Sequence, residues 1–224
     1  MDFVTHSFRH AEAILSQPGY SVGLEDLRGA ITDITDEHLI KSFDSHKTPA
    51  KSLSRDINNL LKRNLKMRGW EVESAIFQDS EFDDKRWRLD FAKDKISVEV
   101  AFNHAEAIAW NLLKPVLASE LNHVKKAVQT EIGVVICATA ELKRAGQFDS
   151  AVGEYEKFLR YLDPLQDVLT VPILLIGLKK PATFEIVGTK IGGRMLGRVR
   201  LLGDSASRYA SQSCSRALAV SASV

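Results

Sequence analysis

The chain has 224 residues, 45% of them hydrophobic, and its 30 basic residues nearly balance its 29 acidic ones. This length suits one globular domain that buries a core without disulfide or metal support. A formal charge of +1 means that any affinity for a polyanion depends on how charge is distributed. No apolar run is long enough to span a membrane, and charges within Met1–Leu15 exclude a signal-peptide core, so we expect a cytoplasmic protein without membrane contacts. Cys137 and Cys214 form no metal-site or disulfide pattern.

The first part of the chain is predicted to be helical. Within residues 1–45, apolar residues at helical spacing precede a break at Pro18 and Gly19. A longer amphipathic helix follows from about residue 52, and Gly69 is placed to end it. Its polar face is basic and holds Arg55, Lys62, Arg63, Lys66 and Arg68.

The middle of the chain alternates between strand and helix patterns. "WEVESAIF" and the two halves of "LDFAKDKISVEVAF" are typical of strands, and the latter pair is predicted to turn around Lys93 and Asp94. Residues 105–128 are mostly helical, with Pro115 as a kink or boundary. "IGVVICA" and "VPILLIGL" are apolar enough for the interior of a sheet, and "SAVGEYEKFLRYLD" between them is an amphipathic helix.

This order of elements predicts an α/β fold, a mixed β-sheet flanked by helices on both faces. We expect one domain over residues 1–203. It ends in the basic, glycine-rich segment "KIGGRMLGRVRLLGD". Residues 204–224 are biased to Ser and Ala without periodicity, which indicates a weakly ordered tail.

The hairpin places two acidic residues where a metal could bind. With Phe91 opposite Ile96, side-chain alternation puts Asp90 and Glu99 on one face as diagonal neighbours, roughly 7 Å apart at Cα. Two carboxylates and the main-chain carbonyl of Val100 would form an open oxygen site of the kind that Mg²⁺ prefers, completed by water and phosphate. The alternative is an ordinary polar face, in which Arg88 and Glu99 form a cross-strand ion pair.

The same residues carry a family resemblance. Asp90, eight further residues and then Glu99-Val100-Ala101 resemble the PD-(D/E)xK nuclease motif. With "PAKSLSRDINNLLKRNLKMRGWEVES", "GVVICATAEL" and "VPILLIGL", the pattern from about Thr48 to Leu178 resembles the BglII/BstYI-like type II restriction endonucleases, which have a restriction-endonuclease-like core. The resemblance implies a homodimer that clamps double-stranded DNA and cuts a short palindrome with Mg²⁺ and no organic cofactor. It suggests a GATC-centred hexamer as the site.

The resemblance also assigns roles, with one departure. Asp90 and Glu99 match the metal ligands, and Glu73 matches a further polar active-site residue, although Glu71 has the same parity. Ala101 departs from the pattern, because the superfamily has lysine there and this subfamily often glutamine, which holds the attacking water or the phosphate. A methyl group can do neither. Candidates for the missing role are Asn103, His104, Lys93, Lys95 and Lys114.

Predicted DNA contacts fall into two groups. Arg55 and Lys62 on the basic helix face, together with the basic segment near the C-terminus (Arg194, Arg198, Arg200 and Arg208), suit phosphates. By resemblance, bases are contacted from the loops that follow the catalytic strand and the next strand, which hold Asn103, His104, Asn111, Lys114, Lys143, Arg144, Gln147, Asp149 and Ser150. Three functions remain open: a site-specific endonuclease, a DNA-binding protein whose catalysis is impaired at Ala101, and a structure-selective DNA nuclease.

Overall fold

The computed structural model describes residues 1–48, 50–120 and 124–203. The predicted tail, residues 204–224 with Arg208 and Cys214, lies outside these ranges. The helices and strands of the described residues are β1 (Phe3–Phe8), α1 (Ala11–Leu15), α2 (Ser21–Thr32), α3 (Asp36–Asp44), α4 (Ser54–Met67), β2 (Glu71–Ala75), β3 (Arg88–Lys93), β4 (Ile96–Ala101), α5 (Ile108–Ser119), β5 (Ile132–Ala138), α6 (Ala140–Ala145), α7 (Tyr155–Leu162), β6 (Ile173–Leu178), β7 (Phe184–Ile191) and β8 (Arg194–Leu201).

A six-stranded mixed sheet forms the centre of the fold, with the strand order β1-β6-β5-β4-β3-β2. Strands β4, β5 and β6 run parallel, and the outer strands pair antiparallel to their neighbours. Strands β5 and β6 are buried along their whole length, as their continuous apolar sequences predict. The predicted α/β class is confirmed.

Helices cover both faces of this sheet because successive strand residues point to opposite sides. On one face, Val98 and Ile136 pack with residues of α2 and α4 such as Leu61. On the other face, Val135 packs with residues of α5 and α7, including Phe158. Two hydrophobic layers therefore enclose the sheet, and β4 contributes side chains to both.

The start of the chain differs from the sequence prediction. Helices α1 to α3 lie within the first 45 residues as expected, but Phe3–Phe8 form an edge strand that pairs antiparallel with β6. The helical apolar spacing begins only at Ala11, after Arg9 and His10 have taken left-handed backbone conformations with φ of 49° and 60°. Pairing with β6 satisfies backbone groups that a helix would have satisfied internally.

Helix α4 forms as its apolar stripe predicts. Ile57, Leu61 and Leu65 are fully buried against the sheet, and burial of each such side chain contributes about 1.5–3 kcal/mol. The chain leaves the helix through Gly69, whose φ of +79° is open to glycine at little cost. This turn leads directly into β2 and so places the polar face of α4 along the edge of the sheet.

Helix α5 lies unusually close to β5. A Cβ atom at Gly133 would approach Pro115 Cβ to 2.5 Å, so the glycine makes the close packing possible. Pro115 lies inside the helix and does not end it. The helix is therefore held tightly over the sheet, and its inward side chains, Lys114 among them, are buried.

The basic segment near residue 195 forms a structure that was not among the predicted elements. Strands β7 and β8 pair as an antiparallel hairpin, joined at Gly192 and Gly193, both with positive φ. Phe184 and Ile186 of the hairpin are buried in the layer that also holds α4.

Across the described residues, no helix has the length and hydrophobicity to cross a membrane.

Candidate active site

The hairpin of β3 and β4 brings the predicted acidic residues together in a different register. Phe91 pairs with Val98 and Lys93 with Ile96, so the turn residues are Asp94 and Lys95. The predicted pairing of Phe91 with Ile96 is wrong by two residues, because the left-handed turn residue is Asp94, with φ of 50°. A two-residue shift leaves every side chain on its predicted face. Continuing the register by one residue sets Asp90 opposite Glu99, not diagonal to it.

Asp90 lies where the sheet ladders are interrupted. The pairing of β2 with β3 passes from Val72 to Ser74 and omits the position opposite Asp90. The Asp90 side chain instead crosses to β4, where its Oδ2 accepts a hydrogen bond of 2.7 Å from the Val100 backbone N–H. This hydrogen bond fixes the carboxylate at the end of β4.

The alternative cross-strand ion pair does not form. Arg88 turns away from Glu99, donates to the Glu73 carbonyl oxygen at 3.1 Å and pairs with Asp83. Glu99 is 2% exposed, and its Oε2 accepts from Lys114 Nζ at 2.7 Å. The partner of Glu99 is thus a helix lysine and not the strand arginine.

One oxygen of Glu99 has no hydrogen-bond partner among the residues that the structure describes. This oxygen, Oε1, is buried, and an unsatisfied buried acceptor costs about 1–3 kcal/mol and calls for an explanation. A divalent ion between Asp90 and Glu99 would supply the missing partner. Within the described ranges no group of three His, Cys, Asp or Glu side chains could hold a metal, so the remaining ligands would be main-chain oxygen, water or phosphate. This donor set fits Mg²⁺, which keeps several waters and binds through one or two carboxylates.

The electrostatics of the pair favour the same conclusion. Burial, followed by the nearby charge of Asp90, raises the pKa of Glu99 to about 8, although Lys114 opposes the change. Burial also raises the pKa of Asp90, against the Val100 hydrogen bond and the Lys114 charge. A half-buried carboxylate and a buried one at close range repel each other, and a bound cation removes that penalty.

The third predicted metal ligand, the Val100 carbonyl, lies at the end of β4. It accepts a hydrogen bond of 3.2 Å from the Phe102 N–H. A carbonyl oxygen has a second lone pair that could still bind a metal. Its role as a ligand stays a prediction.

Glu73 occupies the rim of the site. It is exposed, and its carboxylate accepts from Lys62 Nζ at 2.8 Å, which holds the pKa of Glu73 below its usual range. Its charge is near enough to raise the pKa of Asp90. Its φ of +55° is rare for a residue with a side chain and costs about 1–2 kcal/mol. Glu71, the alternative, instead accepts from the Ser74 hydroxyl at 3.1 Å.

Ala101 is enclosed and not open to the site. It is 1% exposed and packs in the hydrophobic layer with Ile108 and Leu112 of α5. A long side chain at this position would have to displace the helix. The small methyl group of Ala101 therefore allows α5 to pack closely against β4.

Replacing Ala101 with lysine is expected to destabilise the chain without increasing cleavage. Overpacking beneath α5 should lower the free energy of unfolding by about 1–3 kcal/mol, as measured by urea denaturation. Ala127→Lys, at an exposed position, is the matched control and should change stability by no more than about 0.5 kcal/mol. Equal stability of the two variants would show that there is room at residue 101 for a lysine.

Two predicted polar residues tie β4 to α5. Asn111 Nδ2 donates to Asn103 Oδ1 at 2.9 Å, and Asn111 is 2% exposed. Asn103 and the following residue, His104, are exposed. The pair thus holds the exposed Asn103 in place at the end of β4.

A polar groove runs from α4 to Asp90 and Glu73. Two adjoining cavities, of about 380 and 190 Å³, share Asn58 and Asn59 as lining residues. We call them together the active-site groove; its remaining lining residues are Ser54, Arg55, Lys62, Val72, Glu73, Asp90, Phe91, Val100, Phe102 and Asn103. The sequence prediction found Arg55 and Lys62 but missed Asn58 and Asn59, which fall between them at helical spacing.

Four of the residues predicted to contact bases line another cavity. Lys143, Arg144, Gln147 and Ser150 line about 460 Å³ beside α6. Lys143 Nζ is bound there by the Val152 carbonyl at 2.7 Å and by Glu154 at 2.6 Å. The structure thus brings these four residues together, and their contacts with DNA stay predictions.

A mixed sheet whose antiparallel hairpin carries two opposed carboxylates at a polar groove defines a restriction-endonuclease-like fold. The family model described as restriction endonuclease BglII/BglIII matches residues 3–178 of this chain. The chain belongs to the BglII/BglIII restriction endonuclease family and is, by that membership, a type II site-specific nuclease.

Two solved structures show the same fold. The crystal structure of restriction endonuclease BglII complexed with a DNA 16-mer is 16% identical, covers 90% of this chain and 100% of its own, and gives a TM-score of 0.62. Free BglII is also 16% identical, with coverages of 90% and 93% and a TM-score of 0.52. A search of curated protein sequences found no significant match.

Proposed function

We propose that this chain is a Mg²⁺-dependent homodimer that hydrolyses both strands of double-stranded DNA at a short palindrome. The observation that carries the proposal is Glu99 Oε1, which is buried and has no hydrogen-bond partner among the described residues. It lies beside Asp90, which lines the active-site groove. A GATC-centred hexamer is the first sequence to test, and the protein is proposed to act in the cytoplasm.

Each residue has a defined part in this mechanism. Bound Mg²⁺ would polarise the scissile phosphate and make water a better nucleophile. Asp90 and Glu99 would hold the ion, with the Val100 carbonyl as a third oxygen ligand. Arg55 and Lys62, which line the groove from α4, suit contacts with phosphates of the strand being cut.

The same geometry supports duplex binding and dimerisation as parts of the proposal. The described residues present one such pair of carboxylates, and two copies of the chain would place one pair at each strand. A twofold dimer reads a palindrome because both have the same symmetry. BglII, which shares the fold, was crystallised with a DNA 16-mer, and this supports duplex DNA as the substrate. Base contacts are assigned to the exposed Asn103 and His104 and to residues that line the cavity beside α6, such as Arg144.

A catalytically impaired DNA-binding protein is the second candidate, because Ala101 presents only a buried methyl group. Digestion of a mixed-sequence plasmid distinguishes the candidates. Discrete fragments with Mg²⁺ would support site-specific cleavage, whereas a smear, or nicks only at branched DNA, would indicate a structure-selective nuclease. DNA binding without any cutting, in Mg²⁺ or Mn²⁺, would select the impaired protein.

A further inference from the structure

We propose that Lys114 on helix α5 is a catalytic residue that provides the cationic N–H donors missing at Ala101. This inference rests on the proposed function and adds a residue to its active site. In this assignment the ammonium group contacts the attacking water and a non-bridging oxygen of the scissile phosphate, while it also holds Glu99.

The contact with Glu99 places Lys114 at the site. Nζ lies 2.7 Å from Glu99 Oε2, with the two side chains 10% and 2% exposed. An ammonium group has three N–H donors. Hydrogen bonds among the described residues use one of them, so two remain for water and phosphate.

Other cations named by the sequence are engaged elsewhere. Lys93 Nζ binds Asp26 at 2.8 Å and the Arg68 carbonyl at 2.9 Å. Lys95 pairs with Glu131 at 2.6 Å. Of the lysines in the described ranges, Lys114 is the one that forms an ion pair with Glu99.

The packing of α5 explains how a helix lysine reaches the strand. Gly133 admits Pro115, the residue next to Lys114, to close contact with the sheet. Ala101, under Ile108 of the same helix, leaves α5 close to β4. The small residues Ala101 and Gly133 thus let α5 lie close to the sheet. The ammonium group of Lys114 then reaches Glu99 from the helix, whereas the lysine of the usual motif would extend from β4.

The proposed step needs no proton from Lys114. The water oxygen forms a bond to phosphorus, and the bond from phosphorus to the leaving sugar oxygen breaks. The proton of the attacking water passes to solvent, and the leaving oxygen takes up a proton from water. Lys114 remains an ammonium throughout, and its N–H groups orient the nucleophile and stabilise the charge that develops on phosphate.

Replacing Lys114 with methionine tests the assignment. The cleavage rate should fall by about 10²-fold or more, within the usual range for loss of one preorganised donor. Lys93→Met, which removes a half-buried lysine paired with a carboxylate, is the matched control and should leave the rate within about threefold, as expected away from the reacting atoms. DNA binding in Ca²⁺ should persist in both variants.

Chemical rescue separates a catalytic role from a structural one. Ethylammonium should restore cleavage by Lys114→Ala in proportion to its concentration, whereas tetramethylammonium, which has no N–H donor, should not. Without DNA, Ca²⁺ should raise the melting temperature of Lys114→Met more than that of the wild type, because the ion replaces the missing positive charge. An equal rise in melting temperature with Ca²⁺ for Lys114→Met and the wild type, or no rescue by ethylammonium, would overturn the role of Lys114.

The outcomes separate the two levels of the account. Wild-type rates in Lys114→Met, with cleavage lost in Asp90→Ala, would overturn Lys114 and leave the nuclease intact. Absence of cleavage by the wild type in Mg²⁺ and Mn²⁺ would overturn the proposed function and Lys114 with it.

Discussion

Replacing Asp90 with asparagine is expected to lower the rate of Mg²⁺-dependent DNA cleavage by about 10³-fold or more. The variant loses one of the two carboxylates proposed to hold the ion, and metal stabilisation of the transition state is worth several kcal/mol, each 1.4 kcal/mol being tenfold in rate. Asparagine keeps an oxygen that can accept from the Val100 N–H, so the hairpin should remain folded. The measurement is the single-turnover cleavage rate on linear duplex DNA.

Asp26→Asn is the control for this prediction. Asp26 is a partly buried carboxylate that pairs with Lys93, away from the groove, and its loss should leave cleavage within about threefold, as for substitutions away from the reacting atoms. Binding of DNA in Ca²⁺ should survive in both variants. Equal losses of cleavage in the two would mean that Asp90 acts on the fold and not on the metal.

The second large effect is a dependence of stability on pH that Glu99 controls. Its pKa is about 8 in the folded chain, against an ordinary value of 4.5. Between these values the folded chain holds a proton that the unfolded chain has released, so raising the pH favours unfolding. The contribution is fully present below 4.5 and is lost as pH approaches 8, with a slope of up to about 1.4 kcal/mol per pH unit.

Urea unfolding at a series of pH values, with and without Ca²⁺, measures this effect. Glu99→Gln should flatten the dependence, because glutamine stays neutral at every pH. Ca²⁺ should offset the loss in the wild type, since the ionised carboxylate is the form that binds metal. The comparison with Glu99→Gln removes the contribution of other titrating groups. A slope unchanged by that substitution would show that Glu99 does not carry the proton.

Side-chain alternation made the centre of the site predictable. Asp90 and Glu99 share a face of the hairpin whether the turn is at Lys93 or at Asp94, because the two registers differ by two residues. The distance and burial of the pair depended on the true register, which turn geometry decided. The face on which a side chain lies is thus predicted more reliably from a hairpin sequence than the residue with which it pairs.

Features that depend on tertiary packing were not predictable in the same way. The depth of α5, set where Pro115 meets Gly133, decides that Lys114 is a buried partner of Glu99 and not an exposed residue. Strand β1 forms because β6 offers it a free edge, which local sequence does not show. For β7 and β8 a signal existed, the Gly192-Gly193 pair between two alternating segments, typical of a hairpin turn.

Anomalous diffraction from a crystal of the protein soaked in Mn²⁺ tests the central claim most directly. The account predicts one strong peak at about 2.0–2.3 Å from a carboxylate oxygen of Asp90 and from Oε1 of Glu99, the range for hard divalent cations bound by oxygen. No density between the two carboxylates, with Mn²⁺ bound elsewhere or not at all, would contradict it.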